Sequence, residues 1–245
     1  MMFSTFNAAA SLLISAGLSL LAFRQKLLTR DGSVSAFLIS SIIGVFGGLS
    51  WLLTILSFVL AAFVTTRFRL LEKAGKGLQE GRMGERGMLN VIANSLPGVF
   101  IAVLSFAMPG ALTRSGYATL FMCSIGAAAS DTLASEIGVI DRNTRLITTF
   151  RRIPTGTDGG VSVLGTLSAV GGSFFIGAIG YIFITLGGTQ LSLWSIGFVT
   201  LLGFLGSVID SVLGATLERR GLIGKQTNNI SSIVAVCIIA FLILF

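Results

Sequence analysis

"SVSAFLISSIIGVFGGLSWLLTILSFVLAAFVTT", residues 33 to 66, runs without a single charged residue. At about 1.5 Å per residue, these 34 residues exceed what a hydrocarbon core of roughly 30 Å needs. The stretch is therefore one long tilted helix or two short helices turning at "GGLS", residues 47 to 50. The choice sets the direction of every helix that follows.

The other apolar runs fall near 3 to 23, 88 to 108, 116 to 138, 161 to 186, 193 to 216 and 230 to 245. Of the 245 residues 53% are hydrophobic and only 11% charged, too little polar surface for a soluble domain of this length. The sequence predicts an all-α polytopic integral membrane protein, one transmembrane helical domain over residues 1 to 245. Residues 3 to 23 read as a first spanning helix and not a cleaved signal, because Arg24, Lys26 and Arg30 follow the apolar run.

Charge decides the helix count. If 33 to 66 is split, the loops on one side hold 3 basic residues (24 to 32), 6 (67 to 87), 4 (139 to 160) and 3 (217 to 229), which is 16 of the 17 Lys and Arg. Arg114 alone lies opposite. A single span would put the 24 to 32 cluster across the membrane from the rest. The positive-inside rule thus favours about eight helices over seven, with both termini outside and the long basic loops in the cytoplasm. The net charge of +7 is explained by this orientation. No interleaving of aromatic and basic residues suggests nucleic acid.

The chain has no histidine, which removes imidazole proton shuttles and most zinc sites. Cys123 and Cys237 lie in apolar runs and read as packing residues.

Polar groups gather at the basic end. In "GAAASDTLASEIG", residues 126 to 138, Glu136 lies near the end of the fifth span and Asp131 roughly 10 Å below that end. Asp210, near the end of the seventh span, is about 9 Å from the same surface. Asn90 and Asn94 share a helix face at this depth, one turn apart, with Pro97 following. Carboxylates this deep with short side chains are costly unless they work. Three of them without a basic partner would repel one another, and magnesium, held by one or two carboxylates plus substrate phosphates, is the usual remedy.

The loop "TTFRRIPTGTDGGVSVLGT", residues 148 to 166, complements that cluster. Pro154 sets an extended entry, Gly156, Gly159 and Gly160 permit positive φ, and a helix begins directly after. Backbone N–H groups in such a turn form an anion site strengthened by the helix dipole. Arg151 and Arg152 stand nearby in sequence, and Thr155, Thr157 and Ser162 carry hydroxyl donors. The pattern is neither a Walker motif nor a dinucleotide fingerprint.

"SDTLASEIG", "PTGTDGGVSVLGT", "IDSVLGA" and "RGMLNVIAN" together resemble the integral membrane family called domain of unknown function ninety-two, or transmembrane protein nineteen. That family includes plant phytyl-phosphate kinase, which moves a phosphoryl group from a nucleoside triphosphate, CTP preferred, to a prenyl monophosphate. The resemblance implies an acidic motif at Asp131, Ser135 and Glu136 and a second at Asp210 and Ser211. Its glycine-rich motif falls on Pro154, Gly156, Thr157, Gly159, Gly160 and Ser162, with Asp158 inside it. Its polar motif falls on Arg86, Asn90 and Asn94, and Asn229 matches a further polar position.

The expectation is a CTP-dependent isoprenyl-phosphate kinase in a prokaryotic plasma membrane. Asp131 and Asp210 would hold magnesium, with Glu136 as third ligand or water holder. Residues 154 to 162 with Arg151 and Arg152 would bind the triphosphate, and Arg86, Asn90, Asn94 and Asn229 the acceptor. A prenol kinase or lipid-phosphate cytidylyltransferase uses related chemistry. A secondary transporter of an anionic lipid is the alternative from another class, although its site should lie nearer the midplane.

Overall fold

The computed structural model describes residues 5–81 and 84–245. Among them are eight helices of 18 to 25 residues: α1 (Thr5–Arg24), α2 (Arg30–Gly47), α3 (Leu49–Arg67), α5 (Met88–Ala107), α6 (Arg114–Gly138), α7 (Val163–Leu186), α8 (Trp194–Thr216) and α9 (Lys225–Leu244). A short α4 (Leu70–Gly75) and a two-stranded hairpin, β1 (Arg145–Leu146) with β2 (Gly160–Val161), fold in the connections. Neither connection's structure follows from the apolar pattern.

The 33 to 66 run is split where "GGLS" suggested. Gly48 alone separates α2 from α3, at φ 89 and ψ 172, a backbone that a side chain would strain. The chain doubles back there. Arg67 at the end of α3 donates to the Gln25 carbonyl at 3.3 Å, just before α2. Arg86 ties both neighbours together: its backbone bonds Leu27 and Thr29, and its guanidinium donates to Thr66 at 3.2 Å. The start of α2 and the end of α3 therefore share one end of the bundle.

Side-chain caps mark the helix starts. Thr29, Thr113 and Ser162 each accept from the backbone N–H three residues on, opening α2, α6 and α7. The structure differs from the sequence reading at α9, which begins at Lys225 and not near 230. Its first turn, "KQTNN", is too polar to register as part of an apolar span.

Six of the long helices are long and apolar enough to cross a membrane; α2 and α6 are not in that set. For α6 the reason is its place. It packs against α3, α5, α7, α8 and α9, and nearly every residue from Gly116 to Thr132 is buried. Surrounded by protein and not by lipid, it is rich in Gly, Ala and Ser, which let neighbouring backbones approach. Gly203 of α8 meets it this way: a Cβ there would lie 2.6 Å from Ser173 Cβ and 2.9 Å from the Gly126 carbonyl carbon. The free cysteines Cys123 and Cys237 belong to the same apolar core or pack on it.

Gly203→Val should thus overpack the α6, α7 and α8 junction and cost about 1–3 kcal/mol. Gly171→Ala, with open space around it, should cost nothing. Thermal unfolding in detergent measures both.

Candidate active site

At the loop end a cavity of about 500 Å³ opens between α6, α7, α8 and the start of α9. Asp131 of α6 and Asp210 of α8 line it, with their carboxyl groups facing each other at hydrogen-bonding range. Ser232 donates to Asp210 Oδ1 at 3.4 Å. Asn228 donates to the Asp210 carbonyl at 3.1 Å and to Glu218 Oε2 at 3.0 Å. Two facing carboxylates call for a positive charge between them, a proton or a cation.

The glycine-rich turn forms the wall opposite. Gly156 and Gly159 adopt positive φ, 85° and 74°, as the sequence suggests, whereas Gly160 does not and pairs in β2. Gly159 sits so close on Ala215 of α8 that a side chain would collide with its backbone. The loop is thereby fixed to the helix that carries Asp210. Thr155, Thr157, Asp158, Gly160, Ser162 and Asn229 also line the cavity. Several expected donors are already engaged: Thr157 with the Pro154 carbonyl at 2.6 Å, Thr155 with the Asp141 carbonyl at 3.1 Å, and Ser162 with the Gly138 carbonyl at 3.5 Å.

Glu136 lines the same cavity as the pair, but its carboxylate is engaged by other side chains. Five residues along a helix place it about 140° around from Asp131. Lys73 of α4 reaches its Oε2 at 2.7 Å, while Thr66 and Arg86 reach Oε1 at 2.7 and 3.4 Å. Lys73 is 2% and Glu136 6% exposed, so this is a buried ion pair. Among the described residues no group of three or more His, Cys, Asp and Glu forms a ready cage for a metal.

Nor do the expected arginines line the cavity. Arg151 and Arg152 are exposed on the hairpin, where their backbones bond Leu146 and bridge Arg145. Arg86 is occupied by Glu136, and its Nη1 lies 3.4 Å from Asn90 Oδ1. Asn94 donates to the Asn90 carbonyl at 2.9 Å, and Asn90 to Glu80 at 3.4 Å. These residues make a polar wall behind the cavity. Pro154 is exposed and likewise outside the lining.

Sequence reasoning missed Lys73, Glu80, Glu218 and Lys225. Lys225 and Glu80 form an ion pair of 2.8 Å at the cavity edge. Burial pushes the Glu80 carboxyl up, but the charges of Lys225 and Arg86 outweigh it and hold it below the usual glutamate value. A depressed carboxylate pKa stabilises at neutral pH and loses that contribution as pH falls through it.

The family model for integral membrane protein DUF92 matches residues 13–238. The chain belongs to this family. Within it, the chain is similar to an uncharacterised membrane protein of Methanocaldococcus jannaschii, 34% identical over 95% of this chain and 92% of that protein. An uncharacterised membrane protein of Synechocystis is 33% identical over 87% of this chain and 82% of that one. The chloroplastic protein VTE6 of Arabidopsis thaliana is 30% identical over 84% of this chain, which spans 61% of VTE6. No solved structure matches the DUF92 chain significantly.

Lys73→Met leaves the buried Glu136 carboxylate without its main partner and should cost about 3–5 kcal/mol. Adding Glu136→Gln to it should recover part of the loss. Unfolding midpoints of the two variants in detergent decide.

Proposed function

We propose that this DUF92 protein is a membrane-embedded phosphotransferase that moves the γ-phosphoryl group of a nucleoside triphosphate, CTP by the family resemblance, onto a prenyl monophosphate. The observation that carries the reading is the pair Asp131 and Asp210 inside a cavity that is also lined by a glycine-rich turn with two positive-φ glycines. Two carboxylates and a phosphate cradle are the donor set that magnesium uses when it bridges protein and nucleotide. Asp131 and Asp210 would hold the ion, which would neutralise charge on the phosphates.

The chain's own groups then have defined tasks. Backbone N–H groups of the turn around Gly156 to Gly160 other than those of Thr157 and Gly160, which bond within it, would hold the donor's phosphates, and Asn229 supplies an amide beside them. Because Gly159 rests on Ala215, the cradle and Asp210 keep a fixed separation. The second ionisation of a phosphate monoester lies near pH 6, so the acceptor oxygen is already anionic at pH 7. It attacks the γ-phosphorus, the bond to the bridging oxygen breaks, and that electron pair leaves with CDP. No strong base is needed, which suits a chain without histidine. Ala169, Phe204 and Val208 give the deeper part of the cavity an apolar lining that accepts the start of a prenyl tail.

The 16 basic residues of 17 on the loops at this end support a cytoplasmic working face, and the archaeal and cyanobacterial relatives support a prokaryotic plasma membrane. Purified protein with magnesium, γ-labelled CTP and geranylgeranyl or phytyl monophosphate should put label into the diphosphate, and the free alcohols should stay unlabelled. Asp131→Asn and Asp210→Asn should each lower the rate by about 10²–10³-fold without unfolding the protein. Label appearing on lipid from α-labelled CTP instead would make the reaction cytidylyl transfer.

A further inference from the structure

Phosphoryl transfer gathers several negative charges in one place, yet among the described residues the cavity is lined by a single lysine or arginine, Lys225. That residue is the first of α9, and its ammonium is bonded to Glu80 at 2.8 Å. We propose that Lys225 is the phosphate-contacting cation of this site, and that the carboxylate of Glu80 holds it only until a phosphoryl group displaces it. The assignment rests on the kinase reading and adds a residue to it.

Two of the ion pairs at this end, Lys73 with Glu136 and Lys225 with Glu80, differ in the way such an exchange requires. Lys73 and Glu136 are 2% and 6% exposed, and a desolvated pair of that kind cannot part without leaving a bare charge in the protein. Lys225 is 54% and Glu80 25% exposed. An ion pair open to water is worth little, because both partners are solvated when apart. The lysine can therefore turn to a dianionic phosphate at small cost, and the released Glu80 keeps its contact with Asn90, 3.4 Å away.

Two further features aim the site at an anion. Lys225 lines the same cavity as the carboxylate pair and the turn, so a phosphate held between them lies within the field of the ammonium. The helix α9 opens on Gly224, which offers no side-chain cap, and its first turn contributes Lys225, Asn228 and Asn229 to the cavity. The positive end of the helix dipole therefore adds to the lysine.

Binding of CTP and of geranylgeranyl monophosphate, titrated separately in the presence of magnesium, tests the assignment and tells which phosphate Lys225 meets. Lys225→Met should weaken at least one of them about tenfold, and Lys225→Arg should restore most of it. Glu80→Gln should tighten the same ligand severalfold, and the gain should vanish in the double variant, as coupling through the lysine demands. A structural ion pair predicts the other pattern, in which both single variants lose affinity and stability together. That pattern, or Lys225→Met binding like wild type, overturns the assignment and leaves the kinase reading standing. Wild-type protein that binds neither ligand removes both.

Discussion

Carboxylates cannot be left facing hydrocarbon, and the architecture around Asp131 and Asp210 follows from that constraint. The helix bearing Asp131 is ringed by five others, so it meets protein and can carry alanine, glycine and serine in place of leucine. Small residues then set how closely the ring can draw in, as at Gly203 against Ser173 and Gly126. At the loop end the cavity that holds the pair opens beside the glycine-rich turn and the start of α9. Polarity on the central helix is thus a product of shielding and not a sign that the segment lies outside the membrane.

The charged groups near that opening divide into a fixed set and a loose one. Lys73, Arg86, Thr66 and Glu136 bind α4, the start of α5 and the ends of α3 and α6 into one block. Glu80 and Lys225 connect the following segment to α9 through a pair that water can reach. Asn90, bonded to both Arg86 and Glu80, is the joint between the two. The two sets differ in exposure, the first closed to water and the second open to it.

Much of this was legible beforehand. Run lengths and the lopsided distribution of lysine and arginine located the long helices and foretold the break at Gly48, because hydrocarbon thickness and loop charge are properties of short stretches. Asp131 and Asp210 stood out by their depth. What escaped was pairing across distance: Lys73 in a loop of six basic residues looks like an orientation signal, and nothing local marks its partner as Glu136, 63 residues on. Arg151 and Arg152 were placed at the cavity by proximity in sequence, but the hairpin of β1 and β2 turns them outward. Lys225 was counted as a loop charge because a polar first turn hides the start of α9.

The single-residue connection at Gly48 has a counterpart in the other turns on its side of the bundle, all of them brief: 108 to 113 between α5 and α6, and 187 to 193 between α7 and α8. Among the described residues that face carries only short turns, whereas the longer connections, with α4 and the hairpin, gather at the opposite pole beside the cavity, so the fold is plain at one end and elaborated at the other.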